Sequence, residues 1–207
     1  MPTDDTRSPW AILQAGNARY VEGRSTADVR RGPERRSELV GAQAPAAIVL
    51  GCADSRVPVE ILFDQGLGDL FVVRTAGHVV DGAVLGSIEY AVQCLEVPSI
   101  VIVGHDGCGA VAAAIAMVDE GAVPSGCIRE VAERIAPDVV RARLDGAETF
   151  EETVEQHACH TGELLSERSS LIDAAVRAGR LTVTPTRYSL RTGRVTEAVP
   201  LRRLLPV

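Results

Sequence analysis

Three residues of metal-binding types follow two short apolar runs in the sequence. Gly51 and Cys52 come directly after the apolar residues 46–50, and His105 and Cys108 follow the β-branched run 100–103. Runs of this kind form strands that are buried on both faces of a parallel sheet, and the ligands of such sheets collect at the carboxyl ends of the strands. Because both runs end there, we expect the two thiols and the imidazole to lie together.

Two thiolates and one imidazole form a borderline-soft ligand set, for which zinc is the commonest metal. Three protein ligands leave the fourth tetrahedral position open, which is the arrangement of catalytic zinc sites. The sequence therefore predicts one Zn²⁺ per chain, bound by Cys52, His105 and Cys108. Each of these residues alone is weak evidence, because a cysteine after a buried strand is more often a small core residue.

Asp54 and Arg56 lie next to the first predicted ligand and two residues apart, so in extended backbone their side chains share a face. A carboxylate beside an arginine keeps its charge and a low pKa, and a bidentate guanidinium fixes its direction. An ordinary surface salt bridge explains this segment equally well. The position directly after Cys52 favours a role in the site.

The remaining cysteines and histidines are not predicted to bind the metal. Three cysteines are expected to be small core residues: Cys94, Cys127 and Cys159. His157 and His160 lie in a charged helical stretch and are predicted to be solvated at the surface. His78 follows a glycine at a strand end, so it either supports the site or is an ordinary loop residue.

The amino-acid composition argues against several classes of function. A chain of 207 residues with 46% hydrophobic residues has enough apolar material for one domain. The net charge of −7 and the lack of a basic run argue against nucleic acid, and the absence of lysine excludes Schiff-base chemistry. The sequence shows no secretory signal and no apolar stretch long enough to span a membrane, so we expect a cytoplasmic protein without a membrane partner.

The elements that must position these residues alternate between strands and helices, which predicts an α/β fold around a mainly parallel central sheet. An N-terminal helix and two C-terminal edge strands complete it. We predict a single domain over residues 1–207, with a helical arm at 1–40, an α/β core at 44–184 and a C-terminal edge segment at 185–207. Predicted helices cover 10–21, 33–40, 57–63, 84–94, 129–143 (interrupted at Pro137) and 148–179; predicted closing strands cover 181–184 and 194–198.

The two motifs together resemble the β-class carbonic anhydrases. The resemblance rests on CADSR (residues 52–56) with HDGC (residues 105–108), and it extends over LFVVRTAGHVVDGAVLGSIEYAV (residues 70–92) and VPSIVIVGHDGCGAV (residues 97–111). It implies zinc-dependent, reversible hydration of CO₂ to bicarbonate and a proton. In that chemistry a zinc-bound hydroxide attacks CO₂. Asp54 would orient the hydroxide, Arg56 would hold Asp54 away from the metal, and the backbone N–H of Gly109 would bind a bicarbonate oxygen.

The resemblance also implies a substrate pocket and an oligomer. Gln43, Phe71 and Tyr90 occupy the positions of pocket residues in plant-like members. In that family the tyrosine and phenylalanine lie at a subunit boundary, which implies a homodimer or a tetramer.

Some bacterial members also hold a regulatory bicarbonate between a tryptophan, an arginine and a tyrosine. Here Val49 replaces the tryptophan, with Arg74 and Tyr188 at the other two positions. Valine offers no N–H, so the resemblance predicts weak binding of a regulatory anion and simple inhibition by bicarbonate at the metal.

Two other function classes remain open from the sequence. One is a related zinc hydrolase acting on carbonyl sulfide or carbon disulfide on the same scaffold, since pocket size is not visible in a sequence. The other is a zinc-stabilised module without activity. Asp54 and Arg56 argue against the second class, because a structural site needs no orienting pair.

Overall fold

The computed structural model describes residues 8–201 as alternating helices and strands. The helices are α1 Pro9–Val21, α2 Pro33–Glu38, α3 Val59–Leu62, α4 Gly82–Cys94, α5 Gly109–Glu120, α6 Ile128–Leu144, α7 Phe150–Arg168 and α8 Ser170–Arg177. The strands are β1 Ala47–Cys52, β2 Leu70–Thr75, β3 Ser99–His105, β4 Thr182–Tyr188 and β5 Val195–Glu197. Short 3₁₀ turns lie at Ala27–Arg30 and Ala76–His78.

The five strands form one sheet in the order β2-β1-β3-β4-β5. The first four are parallel, and β5 pairs with β4 antiparallel, with Tyr188 opposite Val195. The predicted α/β fold with a mainly parallel sheet and C-terminal edge strands is therefore confirmed. Because β1 and β3 are parallel neighbours, their carboxyl ends meet at one edge of the sheet.

Both central strands are completely buried, in agreement with their apolar sequences. One face of the sheet carries Ile48 and Ile102, which pack in a core with residues of α4, α7 and α8. The opposite face carries Val49 and Val101, which pack with Leu13 of α1 and with residues of α3. The N-terminal helix thus buries its apolar side on this chain's own sheet.

A third apolar cluster covers the carboxyl edge of the sheet. It joins the end of β1 and the start of α5 to α6 and α7, through Val111, Ile135 and Val154. Cys52 and Cys108 belong to this cluster, so the predicted ligands lie beneath a layer of helices.

Two helix predictions were wrong. The predicted helix over 148–179 is divided at Ser169, which ends α7 and begins α8. The Ser169 hydroxyl accepts a hydrogen bond from the amide of Ile172 at 3.2 Å, as an N-cap does. By contrast, α6 continues through Pro137, because buried residues on both sides of the proline, Ile135 and Val139, hold the helix against the core.

The outer parts of the predicted domain scheme fall on residues 1–7 and 202–207, which lie outside the described residues. Within the described range, no helix combines the length and apolar character needed to cross a membrane.

Candidate metal centre

Cys52, His105 and Cys108 come together at the carboxyl edge of the sheet. Cys52 is the last residue of β1, His105 is the last residue of β3, and Cys108 directly precedes α5. Gly107 has φ +64°, a left-handed conformation that lets the chain turn between the last two. One ligand atom from each of the three residues lies within 4.8 Å of the other two, and all three residues are buried. This cluster can hold a metal ion.

The His105 ring presents one nitrogen to this cluster. Its Nδ1 lies 2.9 Å from the carbonyl oxygen of Asp106, which can only accept, so Nδ1 carries the proton. Its Nε2 is buried and makes no hydrogen bond with any described residue. A lone pair on a buried nitrogen without a donor fits a metal ligand, and a carbonyl on the other nitrogen is the usual way of orienting one.

The sulfur of Cys52 accepts backbone hydrogen bonds from Asp54 at 3.4 Å and from Gly77 at 3.3 Å. A hydrogen bond from Cys108 lowers the pKa of the Cys52 thiol; burial opposes this shift, while the two amides add to it. The same contact, together with burial, raises the pKa of Cys108. Cys52 is therefore the more readily ionised of the two thiols, and a divalent cation would allow both to ionise. Zinc fits this set of donors.

Asp54 and Arg56 form a bidentate ion pair beside the cluster. Arg56 Nε lies 2.9 Å from Asp54 Oδ1, and Nη2 lies 2.7 Å from Oδ2. The guanidinium holds the pKa of the Asp54 carboxyl well below its usual range. The predicted extended backbone is wrong, because the backbone amide of Arg56 also bonds to Oδ1 at 2.9 Å and closes a turn. The pairing therefore depends on a turn that the sequence spacing did not reveal.

Arg74 fixes the backbone of the same segment. From the neighbouring strand β2, its Nε donates to the carbonyl of Cys52 at 2.8 Å and its Nη2 donates to the carbonyl of Asp54 at 2.6 Å. From the sequence, Arg74 was a candidate only for an anion pocket, and its hydrogen bonds to these two carbonyls were not predicted. A charged residue near the end of an apolar strand, opposite Gly51 in the sheet register, was the available signal.

The residues predicted for the substrate pocket lie apart from this cluster. Gln43 and Tyr90 line an open surface cleft together with residues 39–42. The ring of Phe71 lies 6.4 Å from that of Tyr90, and half of the Tyr90 surface is exposed. Gly109, in contrast, directly follows Cys108 as the first residue of α5.

Several of the remaining cysteines and histidines differ from their predicted roles. His157 and His160 are buried rather than solvated, because the face of α7 that carries them packs toward Asp138 of α6. His78, left undecided by the sequence, is buried as well. Cys159 is buried as predicted, but two others are exposed at helix termini: Cys94 and Cys127.

The chain is similar to known carbonic anhydrases in sequence and in fold. Residues 47–195 match the family model described as carbonic anhydrase. A carbonic anhydrase of Mycolicibacterium smegmatis is 50% identical over 195 residues, which cover 94% of each chain. The Coccomyxa β-carbonic anhydrase, solved with acetazolamide, has 26% identity and a TM-score of 0.71, and the match covers 96% of this chain and 88% of that one. A tetrameric β-carbonic anhydrase from Sordaria macrospora has 23% identity and a TM-score of 0.68, with 92% and 97% coverage.

Proposed function

Because this chain belongs to the β-class carbonic anhydrase family, we propose that it catalyses the reversible hydration of CO₂ to bicarbonate and a proton. The observation that carries the proposal is the buried Cys52–His105–Cys108 cluster with the Asp54–Arg56 ion pair beside it. The cluster supports a metal site, and the adjacent ion pair supports catalysis, since a structural metal site has no use for an orienting carboxylate.

We assign one zinc ion to the three ligands. Zinc held by three protein groups lowers the pKa of a bound water and so supplies a nucleophile near neutral pH. The ligands themselves are prepared for it: the Cys52 sulfur is stabilised as a thiolate by two amides, and His105 offers Nε2 because Nδ1 is bound to Asp106.

We assign Asp54 and Arg56 to the orientation of the attacking water. Asp54 is ionised across the neutral pH range, because Arg56 keeps the pKa of its carboxyl low. A carboxylate can only accept hydrogen bonds, so it would accept one from the attacking water and turn the water's lone pair toward CO₂. Arg56 occupies both carboxylate oxygens and thereby restrains Asp54 from swinging onto the zinc.

Gln43, Phe71 and Tyr90 belong to the proposed substrate pocket, and the amide of Gly109 to the proposed bicarbonate contact. Tyr90 is half exposed and lines an open cleft, which agrees with a pocket completed by a second copy of this chain. We therefore propose a homodimer or tetramer, the latter being the state of the Sordaria enzymes. A cytoplasmic location suits thiolate ligands, which persist in a reducing compartment.

The test is a paired assay on one zinc-loaded sample. Stopped-flow measurement of CO₂ hydration is compared with turnover of carbonyl sulfide at the same enzyme concentration. We expect rapid CO₂ hydration that is lost when a chelator removes the metal, and carbonyl sulfide turnover that is slower by orders of magnitude. Preferential turnover of carbonyl sulfide would assign the chain to the hydrolase alternative. Zinc binding without either activity would indicate a structural module.

A further inference from the structure

A buried histidine outside the cluster bridges α6 to the turn that contacts Cys52. His157 lies on α7, and its ring is only 3% exposed. Its Nδ1 is 2.6 Å from a carboxylate oxygen of Asp138, and its Nε2 is 2.9 Å from the carbonyl oxygen of Gly77. A backbone carbonyl can only accept, so Nε2 carries a proton and donates it to Gly77.

Asp138 fixes the orientation of that ring. Burial by itself raises the pKa of the Asp138 carboxyl, but the hydrogen bond from His157 and the nearby His160 ring, with its Nδ1 3.5 Å away, outweigh burial and lower the pKa to about 2. Asp138 is therefore a carboxylate that accepts a hydrogen bond from Nδ1 at 2.6 Å, so both ring nitrogens of His157 donate and the ring is oriented with Nε2 toward Gly77. His78 stacks on the face of the ring, with the centroids 4.3 Å apart.

Gly77 connects His157 to the metal centre. Its carbonyl accepts from His157, and its own N–H donates to the sulfur of Cys52 at 3.3 Å. The turn has an uncommon backbone, since Gly77 has φ +60° and His78 has φ +45°. Such conformations persist only where the surroundings fix them, and His157 supplies one of the fixing contacts.

We propose that His157 is a positioning residue for Cys52: by holding the carbonyl of Gly77, it keeps the Gly77 amide directed at the cysteine sulfur. That amide lowers the electron density on the sulfur and fixes its position. Partners of this kind beyond the ligands commonly change metal affinity by about tenfold or more. The inference rests on the proposed function in one respect, because it takes Cys52 to be a zinc ligand.

Two nearly isosteric substitutions separate the two contacts of the ring. In His157→Gln the side-chain amide reaches the Nε2 position and can still donate to Gly77, while in His157→Asn the amide reaches only the Nδ1 position near Asp138. Zinc affinity is measured by chelator competition, and the thiolate-to-metal charge-transfer absorption is recorded on the cobalt(II)-loaded proteins. We expect His157→Gln to stay within about threefold of the wild-type affinity, and His157→Asn to bind zinc about tenfold more weakly with a shifted absorption.

His160→Asn is the matched control. His160 lies on the same helix, is buried to a similar degree and has Nδ1 3.5 Å from Asp138, whereas the Gly77 carbonyl is bonded by His157. Its substitution should leave the charge-transfer absorption unchanged. Equal zinc affinity and equal spectra in His157→Asn and His157→Gln would overturn the inference.

Two further outcomes depend on the wild type. If the wild-type protein binds no zinc, the proposed function itself fails, independently of His157. If neither His157 variant folds, nitrogen-15 NMR of the zinc-loaded wild type distinguishes the two possibilities. A proton on Nε2 of His157 supports the inference, and an unprotonated Nε2 contradicts it.

Discussion

A single chain fixes the segment from Cys52 to Arg56 completely, whereas it leaves the cleft around Tyr90 open. The first is fixed from several directions: Arg74 binds two of its carbonyls, Gly77 binds its sulfur and Arg56 binds its carboxylate. The second is an open surface with Tyr90 half exposed. Metal ligands and an orienting carboxylate must be held in a fixed arrangement by the protein. A cleft for CO₂ needs less, because CO₂ is small and apolar and offers few groups for a protein to recognise. Substitutions should therefore affect the two regions very differently.

The largest effect is expected from removing a proposed zinc ligand. Cys108→Ser replaces a soft thiolate with a poorly ionised hydroxyl, so we expect zinc content to fall from about one per chain to near zero, with loss of CO₂ hydration. Cys159→Ser is the control, because Cys159 is also buried but lies outside the cluster. Elemental analysis of both proteins gives the answer, and equal metal loss in the two would contradict the ligand assignment.

A smaller effect, with the metal retained, is expected at Asp54. Asp54→Asn keeps the shape of the side chain but removes its negative charge, which weakens the hydrogen bond from the attacking water. We therefore expect kcat to fall by roughly a hundredfold or more. Arg56→Ala should also lower kcat, since it frees the carboxylate to approach the zinc. Stopped-flow rates are normalised to measured zinc content. Wild-type kcat in zinc-loaded Asp54→Asn would refute the assigned role.

The next effect concerns the backbone of the same segment. Arg74→Gln loses charged hydrogen bonds to the carbonyls of Cys52 and Asp54, so we expect kcat to fall by about tenfold at full zinc occupancy. Arg177→Gln is the control, since its side chain is 79% exposed and bonds to Asp173 on its own helix. If both variants match the wild type, Arg74 does not position the segment.

A single conservative change in the open cleft should have a smaller effect than the changes above. Tyr90→Phe removes one hydroxyl from a half-exposed ring, and we expect KM for CO₂ to rise by only a few-fold, with kcat and zinc content unchanged. Whether the cleft is completed by a second copy is tested over a dilution series. The oligomeric state is measured by analytical ultracentrifugation and the rate of CO₂ hydration at the same concentrations, because a pocket shared between copies should lose activity as the oligomer dissociates. Activity that is constant down to the monomer would show that one chain suffices.

The smallest effect is expected from bicarbonate, whose inhibition of the enzyme tests whether Arg74 can still bind a regulatory anion. The guanidinium of Arg74 already binds two carbonyls, and Val49 offers no donor, so little is left there to hold a regulatory anion. We expect hyperbolic inhibition in initial rates across a bicarbonate series near pH 8. A steep sigmoidal loss of activity would instead reveal a conformational change driven by the anion.

The family, the fold class and the position of the metal cluster were accessible from the sequence, since each depends on local patterns. Buried strands are predicted from runs of apolar residues, and a residue at the end of such a strand has its place fixed by the parallel sheet itself. This is why Cys52, His105 and Cys108 could be brought together from their spacing alone. The roles of the catalytic and pocket residues stay predictions until the variants above are measured.

Other features were decided only by tertiary structure, because they depend on contacts between residues far apart in the chain. Polar composition predicted a solvated His157, yet Asp138 and the carbonyl of Gly77, 80 residues away, make its burial favourable. The helix break at Ser169 similarly involves a hydrogen bond from its hydroxyl to Glu89, 80 residues earlier. A local pattern records what a residue can bond to, but only the folded chain determines which distant partner is within reach.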